Sequence, residues 1–322
     1  MGPKPSLPPA PREEEACPLP PQLTLSPAPQ GSPQPRVPRL RCLLAPNPSP
    51  LTFRGTNTYI IGSGRVAVVD PGPDDDGHIA AILAALDPGE IVEQILITHP
   101  HRDHSALASR LSAQTGAPVL AFGRADEGRN PRMAALAAQR PTGGGDGLDT
   151  SFAPDRNLAD GERISGPDWE VTSLHTPGHL GTHLCFCLGE VLLSGDHVMG
   201  WSTSIVAPPD GDMGDYMNSL ARLDRPDWQQ FLPGHGDPIP HPQRRVQELI
   251  THRRAREAQI LDALAQAPQT AAQIAHSLYP DLAPNLKPAA TRNVLAHLID
   301  LHGKSHVHTD HPLTANNLFH LA

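Results

Sequence analysis

The feature that most constrains this chain is the run His99-Pro100-His101-Arg102-Asp103-His104. It follows directly on an apolar stretch over residues 91–98, which reads as a strand buried in a sheet covered on both faces, and it precedes a helical pattern over residues 105–115. Neutral imidazoles and carboxylates suit zinc, a borderline-soft ion. A tight turn at the end of a buried strand can fan these side chains around two metal positions, His99 and His101 at one, Asp103 and His104 at the other. Four donors do not complete two sites, so further ligands must arrive from later strand ends. Three are placed to do so: His179 in His175-Thr176-Pro177-Gly178-His179, Asp196 in Ser194-Gly195-Asp196-His197, and His235 in Leu232-Pro233-Gly234-His235-Gly236. A glycine precedes each of them, which lets backbone approach a cluster closely.

With 18 histidines in the chain, chance clustering has to be weighed, and the sequence contains its own control. His306-Val307-His308-Thr309-Asp310-His311 spells the same pattern but lacks a preceding buried strand, and only His320 follows it. It reads as a polar wing. The six-residue pattern alone is therefore moderate evidence for a metal site, and the ordered set with its strands is strong evidence.

The rest of the chain divides around this centre. Residues 1–38 are dense in proline and cannot bury enough apolar surface to offset their ordering entropy, so a disordered tail is expected there. A catalytic domain is expected over residues 39–240, beginning with a hairpin of residues 56–61 and 65–70. Within it, the stretch 124–150, a helix-like Ala-rich patch followed by Gly143-Gly144-Gly145, reads as an insertion or mobile lid at the site mouth, or equally as a plain surface loop. Residues 241–322 form the last unit: a long helical pattern over 243–266, a helix capped by Thr270, a third over 288–301 and a short terminal hairpin, which together suggest a winged-helix domain.

The formal net charge of -9 argues against a general polyanion binder. Cys17, Cys42, Cys185 and Cys187 form no CxxC pair and no disulfide framework, which points to a reducing, cytoplasmic compartment. No apolar run is long enough to span a membrane, so none is expected as a partner.

These motifs, with Asp70 in Val68-Val69-Asp70-Pro71-Gly72, resemble the ordered motifs of the metallo-β-lactamase superfamily over about residues 39–240. The resemblance implies an α/β fold, an αββα sandwich with metals at one sheet edge. It implies His99, His101 and His179 on one zinc, Asp103, His104 and His235 on a second, Asp196 bridging both, and Asp70 orienting ligands from behind. Two Zn2+ against Asp103, Asp196 and a bridging hydroxide leave a charge of about +1, which favours an anionic or carbonyl substrate attacked by that hydroxide, with Asp103 helping to orient it. The bridging aspartate is similar to the glyoxalase II, lactonase and nuclease branches and unlike true β-lactamases. His101 replaces the glutamate of flavodiiron oxidoreductases, which favours zinc hydrolysis, although iron or manganese suits the same donors.

The stretch Gly195-Asp196-His197-Val198-Met199-Gly200-Trp201-Ser202-Thr203-Ser204, with Pro208-Pro209-Asp210-Gly211-Asp212-Met213 and the winged-helix-like end, resembles the β-lactamase-like protein 2 group. That implies cleavage of single-stranded RNA as one expectation. Trp201, Ser202, Thr203 and Ser204 are expected to border the substrate pocket, their hydroxyls either binding a phosphate or carboxylate or capping the loop. Arg244, Arg245, Arg253, Arg254 and Arg256, with Lys287 and Arg292 near the third helix, would supply phosphate contacts. Glu248 and Glu257 interleave with the arginines, so a solvated helix face is the stronger expectation, and the wing would then be a wall of the active site or a homodimer contact. The alternatives are a thioester, ester or lactone hydrolase similar to glyoxalase II, and a metal-sensing winged-helix regulator.

Overall fold

The computed structural model describes residues 39–139, 147–310, 313–314 and 316–322. The expected proline-rich tail and the Gly143-Gly144-Gly145 run lie outside the described residues. The first sheet takes β1 (Leu40–Leu44), β2 (Asn57–Ile61), β3 (Arg65–Val69), β4 (Ile91–Leu96), β5 (Val119–Ala121) and β6 (Arg156–Asn157) in sequence order. The first three strands pair antiparallel and β3 to β6 run parallel. Between them lie α1 (Asp76–Ala84), α2 (Arg102–Ser105), α3 (Ala108–Thr115) and α4 (Pro131–Ala138). The second sheet holds β7 (Arg163–Ser165), β8 (Glu170–His175), β9 (Leu184–Leu188), β10 (Val191–Gly195) and β11 (Gln230–Pro233), with β10 and β11 parallel and α5 (Met213–Leu223) between them.

Side-chain alternation along the strands builds three layers of core. Tyr59, Ile61, Ala67 and Val69 face Val171, Phe186, Leu193 and Leu232 of the opposite sheet. Their neighbours Ile60, Val66, Val68 and Ile95 face outward onto Ile79 and Ile82 of α1, Leu107 just before α3 and Leu111 within it. On the far side, Cys185, Leu192 and Phe231 pack against Met213, Tyr216 and Leu220 of α5 and against Val246 and Leu249 of the next helix. Apolar residues on both faces explain the runs lacking polar alternation, and the order of layers is αββα, as expected.

That next helix, α6 (Pro242–Gln266), opens on proline and belongs to two cores at once. Its Ile260 and Leu264 pack with α7 (Ala271–Leu278), α8 (Lys287–Gly303) and the pair β12 (Val307–His308) and β13 (His320–Leu321). Thr270 caps α7 through a capping box with Gln273, as its position predicts. A winged-helix unit therefore closes the chain, joined to the sandwich by an unbroken helix. Arg132 of α4 also donates to Ile299 O of α8 and pairs with Asp212, the cap of α5, so the two units share packed helices. Residues 294–301 of α8 are all buried. Among the described residues no helix is long and apolar enough to cross a membrane.

Two elements depart from expectation. The helix after the metal motif is split, because α2 ends at Ser105 and α3 restarts at Ala108, and Gly72 accepts the Leu107 amide in between. Helix α5, capped by Asp212 whose carboxylate accepts from the Asp215 amide, falls where the sequence reading assigns no element.

Candidate metal centre

All seven expected donors arrive at one end of the sandwich. His99 lies three residues beyond β4, His101 is the residue before α2, and Asp103 and His104 lie in its single turn. His179 follows β8, Asp196 follows β10, and His235 follows β11. Donor atoms of His99, His101, His179 and Asp196 form one group and those of Asp103, His104 and His235 another, each within 4.8 Å internally. His101 Nδ1 stands 3.0 Å from His99 Nε2 and 3.1 Å from His179 Nε2, and His104 Nε2 stands 3.3 Å from His235 Nε2. Metal–nitrogen bonds of about 2.0–2.1 Å in a tetrahedron require ligand separations near 3.3 Å, so the spacings suit a small divalent ion. Asp196 reaches both groups: Oδ2 is 3.9 Å from His99 and His179 and 3.4 Å from His235, and Oδ1 is 3.5 Å from His104.

The outer contacts set which nitrogen faces inward. Asp70 accepts from the Thr98 amide and hydroxyl at 2.8 and 2.7 Å, so Thr98 Oγ1 is left to accept from His99 Nδ1 at 3.0 Å. Asp70 Oδ2 also accepts from His104 Nδ1 at 2.9 Å. His179 Nδ1 donates to Ile205 O at 2.6 Å and His235 Nδ1 to Gly55 O at 3.1 Å. Four imidazoles are thereby held with Nε2 lone pairs aimed into the cluster, the arrangement that metal-ligating histidines adopt. Asp70 itself takes a left-handed backbone at φ 49°, a strained conformation for aspartate that aims its carboxylate behind the ligands. Thr98 is the outer partner missed in the sequence, and Gly55 and Ile205 contribute only backbone carbonyls.

Electrostatics point the same way. Burial and the adjacent imidazoles of His104, His101 and His179 hold His99 well below the ordinary imidazole pKa, and burial with His179 brings His101 to about 3. At His235 burial opposes protonation, but Asp196 and Asp103 outweigh it and raise the ring to about 9. His104 rises likewise, burial being overcome by Asp103, Asp196 and Asp70. A place where carboxylates retain protons on imidazoles is a place that favours cations. Asp196 Oδ1 is buried with no hydrogen-bond partner among the described residues, a lone pair that a metal would use. A side chain at Gly234 would sit 2.6 Å from this oxygen and 2.7 Å from His104 Cε1, so the glycine before His235 is required by the cluster. Gly178 answers to a different neighbour, since a Cβ there would lie 2.4 Å from Tyr216 Cα on α5.

His183 is a further residue that sequence reading does not single out. It is fully buried, and its Nε2 accepts the Asp196 amide at 3.2 Å while Nδ1 pairs with Thr176 Oγ1 at 2.9 Å. The signal available was a histidine four residues after His179, next to the strand that faces Asp196.

The expected pocket residues divide. Trp201, Ser202 and Thr203 are half-buried, and Trp201 stacks on Phe53 with ring centroids 5.1 Å apart beside Gly236. Ser204 is fully buried and donates to Asp196 O and His197 O, so it caps the loop and does not face a ligand. The basic run is also corrected in part. Arg253 is 3% exposed and points into the protein, Arg245 donates to Met199 O and Ser202 O, and Arg244 pairs with Glu248. The second histidine run meets only His320 and builds no group of three donors: among the described residues the two groups at the sheet edge are the sole candidate clusters, and His311 lies outside those residues.

Comparison with known proteins agrees with this geometry. The metallo-beta-lactamase superfamily model matches residues 51–235, and the beta-lactamase associated winged helix domain matches residues 270–307. The beta-lactamase-like protein 2 homolog of Drosophila melanogaster is 33% identical over 80% of this chain and 86% of its own. The atrochrysone carboxyl ACP thioesterase of Aspergillus chevalieri is 31% identical over 72% of this chain and 68% of its own. The crystal structure of a metallo-beta-lactamase family protein from Thermus thermophilus superposes with a TM-score of 0.71 at 28% identity, covering 88% of this chain and 98% of that one.

Proposed function

The chain belongs to the metallo-beta-lactamase superfamily and is a metal-dependent hydrolase, and from that premise we propose that its cage holds two divalent ions, zinc first among them, and cleaves acyl thioesters or esters. The observation that carries the two-ion reading is the position of Asp196, whose carboxylate lies within 3.9 Å of donors in both groups. Iron or manganese fits the same nitrogen and oxygen donors. Ions bound there supply Lewis acidity and a water acidified toward a pKa of ~7.

The protein's own residues supply position. Asp70 and Thr98 orient His104 and His99, and the carbonyls of Gly55 and Ile205 orient His235 and His179. Asp103 is the most open carboxylate of the cluster, its side chain 28% exposed, so substrate enters on its side and meets this charge first. The Phe53–Trp201 stack, adjoining the His235 turn, offers an apolar surface for the acyl portion.

A small acyl substrate is favoured over RNA because Arg253, Arg245 and Arg256 are committed to contacts within the protein, which leaves Arg244 and Arg254 as the exposed arginines of the helix. Arg253 is buried, Arg245 and Arg244 are engaged, and Arg256 lies over Tyr279. The relative named as a thioesterase supports the same class. The regulator reading is weakened because residues 294–301 of α8 are buried against the sandwich and the domain's own core, which leaves only the first turns of that helix open to a ligand.

The test is to supply metal-loaded protein with short and long acyl thioesters and, separately, with labelled single-stranded RNA, using Asp103→Ala as control. Thiol release that the variant loses, with RNA intact, is the expected result. RNA cleavage without thiol release would replace the acyl reading with phosphodiester hydrolysis.

A further inference from the structure

Arg253 of α6 is 3% exposed, and among the described residues no carboxylate lies within ion-pair distance of it. Burying an unpaired charge is costly, so its few partners carry information. Nη2 donates to Ser204 O, Nη1 donates to Asn293 Oδ1 at 3.4 Å, and the guanidinium lies 5.1 Å from the centre of the Tyr216 ring. Asn293 belongs to α8, and the same Oδ1 accepts the Val206 amide at 3.0 Å. Between the two clamped residues lies Ile205, whose carbonyl accepts from His179 Nδ1 at 2.6 Å.

From these contacts we infer that Arg253 and Asn293 are positioning residues for the metal centre: the winged-helix unit grips Ser204 and Val206 from both sides and so fixes the Ile205 carbonyl that orients His179. The loop has its own inner anchor, since Ser204 Oγ donates to Asp196 O and His197 O. Arg245 adds a third outer hold, at Met199 O and Ser202 O. The segment that leaves Asp196 is thus held by helices α6 and α8 over the whole distance to Val206. A domain that resembles a nucleic-acid reader serves here as a strut on one ligand. The inference rests on the two-ion reading only in expecting that one of two ions feels the strut.

Cobalt(II) titration of the full-length protein, followed by visible absorption, tests it. Asn293→Ala is expected to weaken one equivalent by about 10-fold or more, the size of effect that outer partners of metal ligands have, and to change the band of that equivalent alone. Asn293→Asp keeps the acceptor oxygen and is expected to restore both affinity and band. Lys304→Ala, which breaks the contact between the end of α8 and Glu257 of α6 away from the loop, is expected to leave both equivalents unchanged. Equal weakening by Asn293→Ala and Lys304→Ala, or no rescue by Asn293→Asp, would overturn the strut. If Asn293→Ala proves poorly folded by circular dichroism, amide exchange at Val206 in Asn293→Asp and wild type decides instead: equal protection supports the strut, and faster exchange in the aspartate variant overturns it. A wild type that takes a single equivalent would defeat the two-ion reading, and the strut would still be judged by the alanine and aspartate variants on that equivalent.

Discussion

Residues 99–104 and 306–311 carry the same order of histidine and aspartate, yet they end in different places. The first run leaves a buried strand at the edge where β8, β10 and β11 also end, and its donors meet His179, Asp196 and His235. The second starts at the wing, where His306, His308 and Asp310 are not buried, His308 stacks on His320, and Asp310 lies 3.5 Å from the same ring. The pattern contributes donors, and the topology makes the site. Donors become a cage only where several strand ends converge and outer partners already occupy the far nitrogens.

The comparison is tested most severely by matched aspartate variants. Asp103→Ala should lower hydrolysis by more than about 100-fold, the upper end of what outer partners cost, whereas Asp310→Ala should leave it unchanged. Steady-state rates on one thioester decide between them. Next in size is Asp70→Asn, which keeps the shape but removes the charged acceptor shared by Thr98 and His104. Metal affinity should fall by about 10–100-fold, read by competition with a chelator.

A smaller effect separates burial from ligation. His297 on α8 is 1% exposed, has no hydrogen-bond partner among the described residues, and ligates nothing. Burial, then Arg253 and Arg256, lower its pKa to about 3. The unfolded chain takes up this proton near pH 6.5 and the folded one does not, so stability is lost as pH falls from about 6.5 toward about 3. Between pH 6.5 and 5 the loss attributable to this ring is at most about 2 kcal/mol, and His297→Leu should flatten the decline of melting temperature with acid by that share. Smallest of all, His306→Ala and His308→Ala should shift stability by no more than about 0.5 kcal/mol and leave metal content as in wild type, measured by elemental analysis.

The inner donors are legible in the sequence because each is a histidine or aspartate following an apolar run, and five of the seven, all but Asp103 and His104, stand beside a proline or glycine. The outer shell is legible only where a side chain makes it. Asp70 follows a Val-Val strand end and can be read, but the carbonyls of Gly55 and Ile205 belong to no residue type and can be seen only in space. Arg253 could have been found. It falls on the apolar stripe of α6, four residues after Leu249 and seven before Ile260, so its position predicts burial even though its charge suggests solvent. Helix α5 was hidden for a related reason. Tyr216, Leu220 and Leu223 give helical spacing behind the cap Asp212, but Pro208-Pro209 and Gly211 just before them obscure where a helix begins. The buried face of α8 was beyond reach, because contact between two units depends on how they pack and not on either sequence alone.

If seven residues at the strand ends of both sheets make one cage for two ions, elemental analysis must find two metal equivalents per chain. Wild type and the double variant His306→Ala/His308→Ala should each hold two equivalents, and Asp196→Ala should hold one or none. Wild type saturating at one equivalent, or the double variant losing metal while Asp196→Ala keeps it, would contradict the claim.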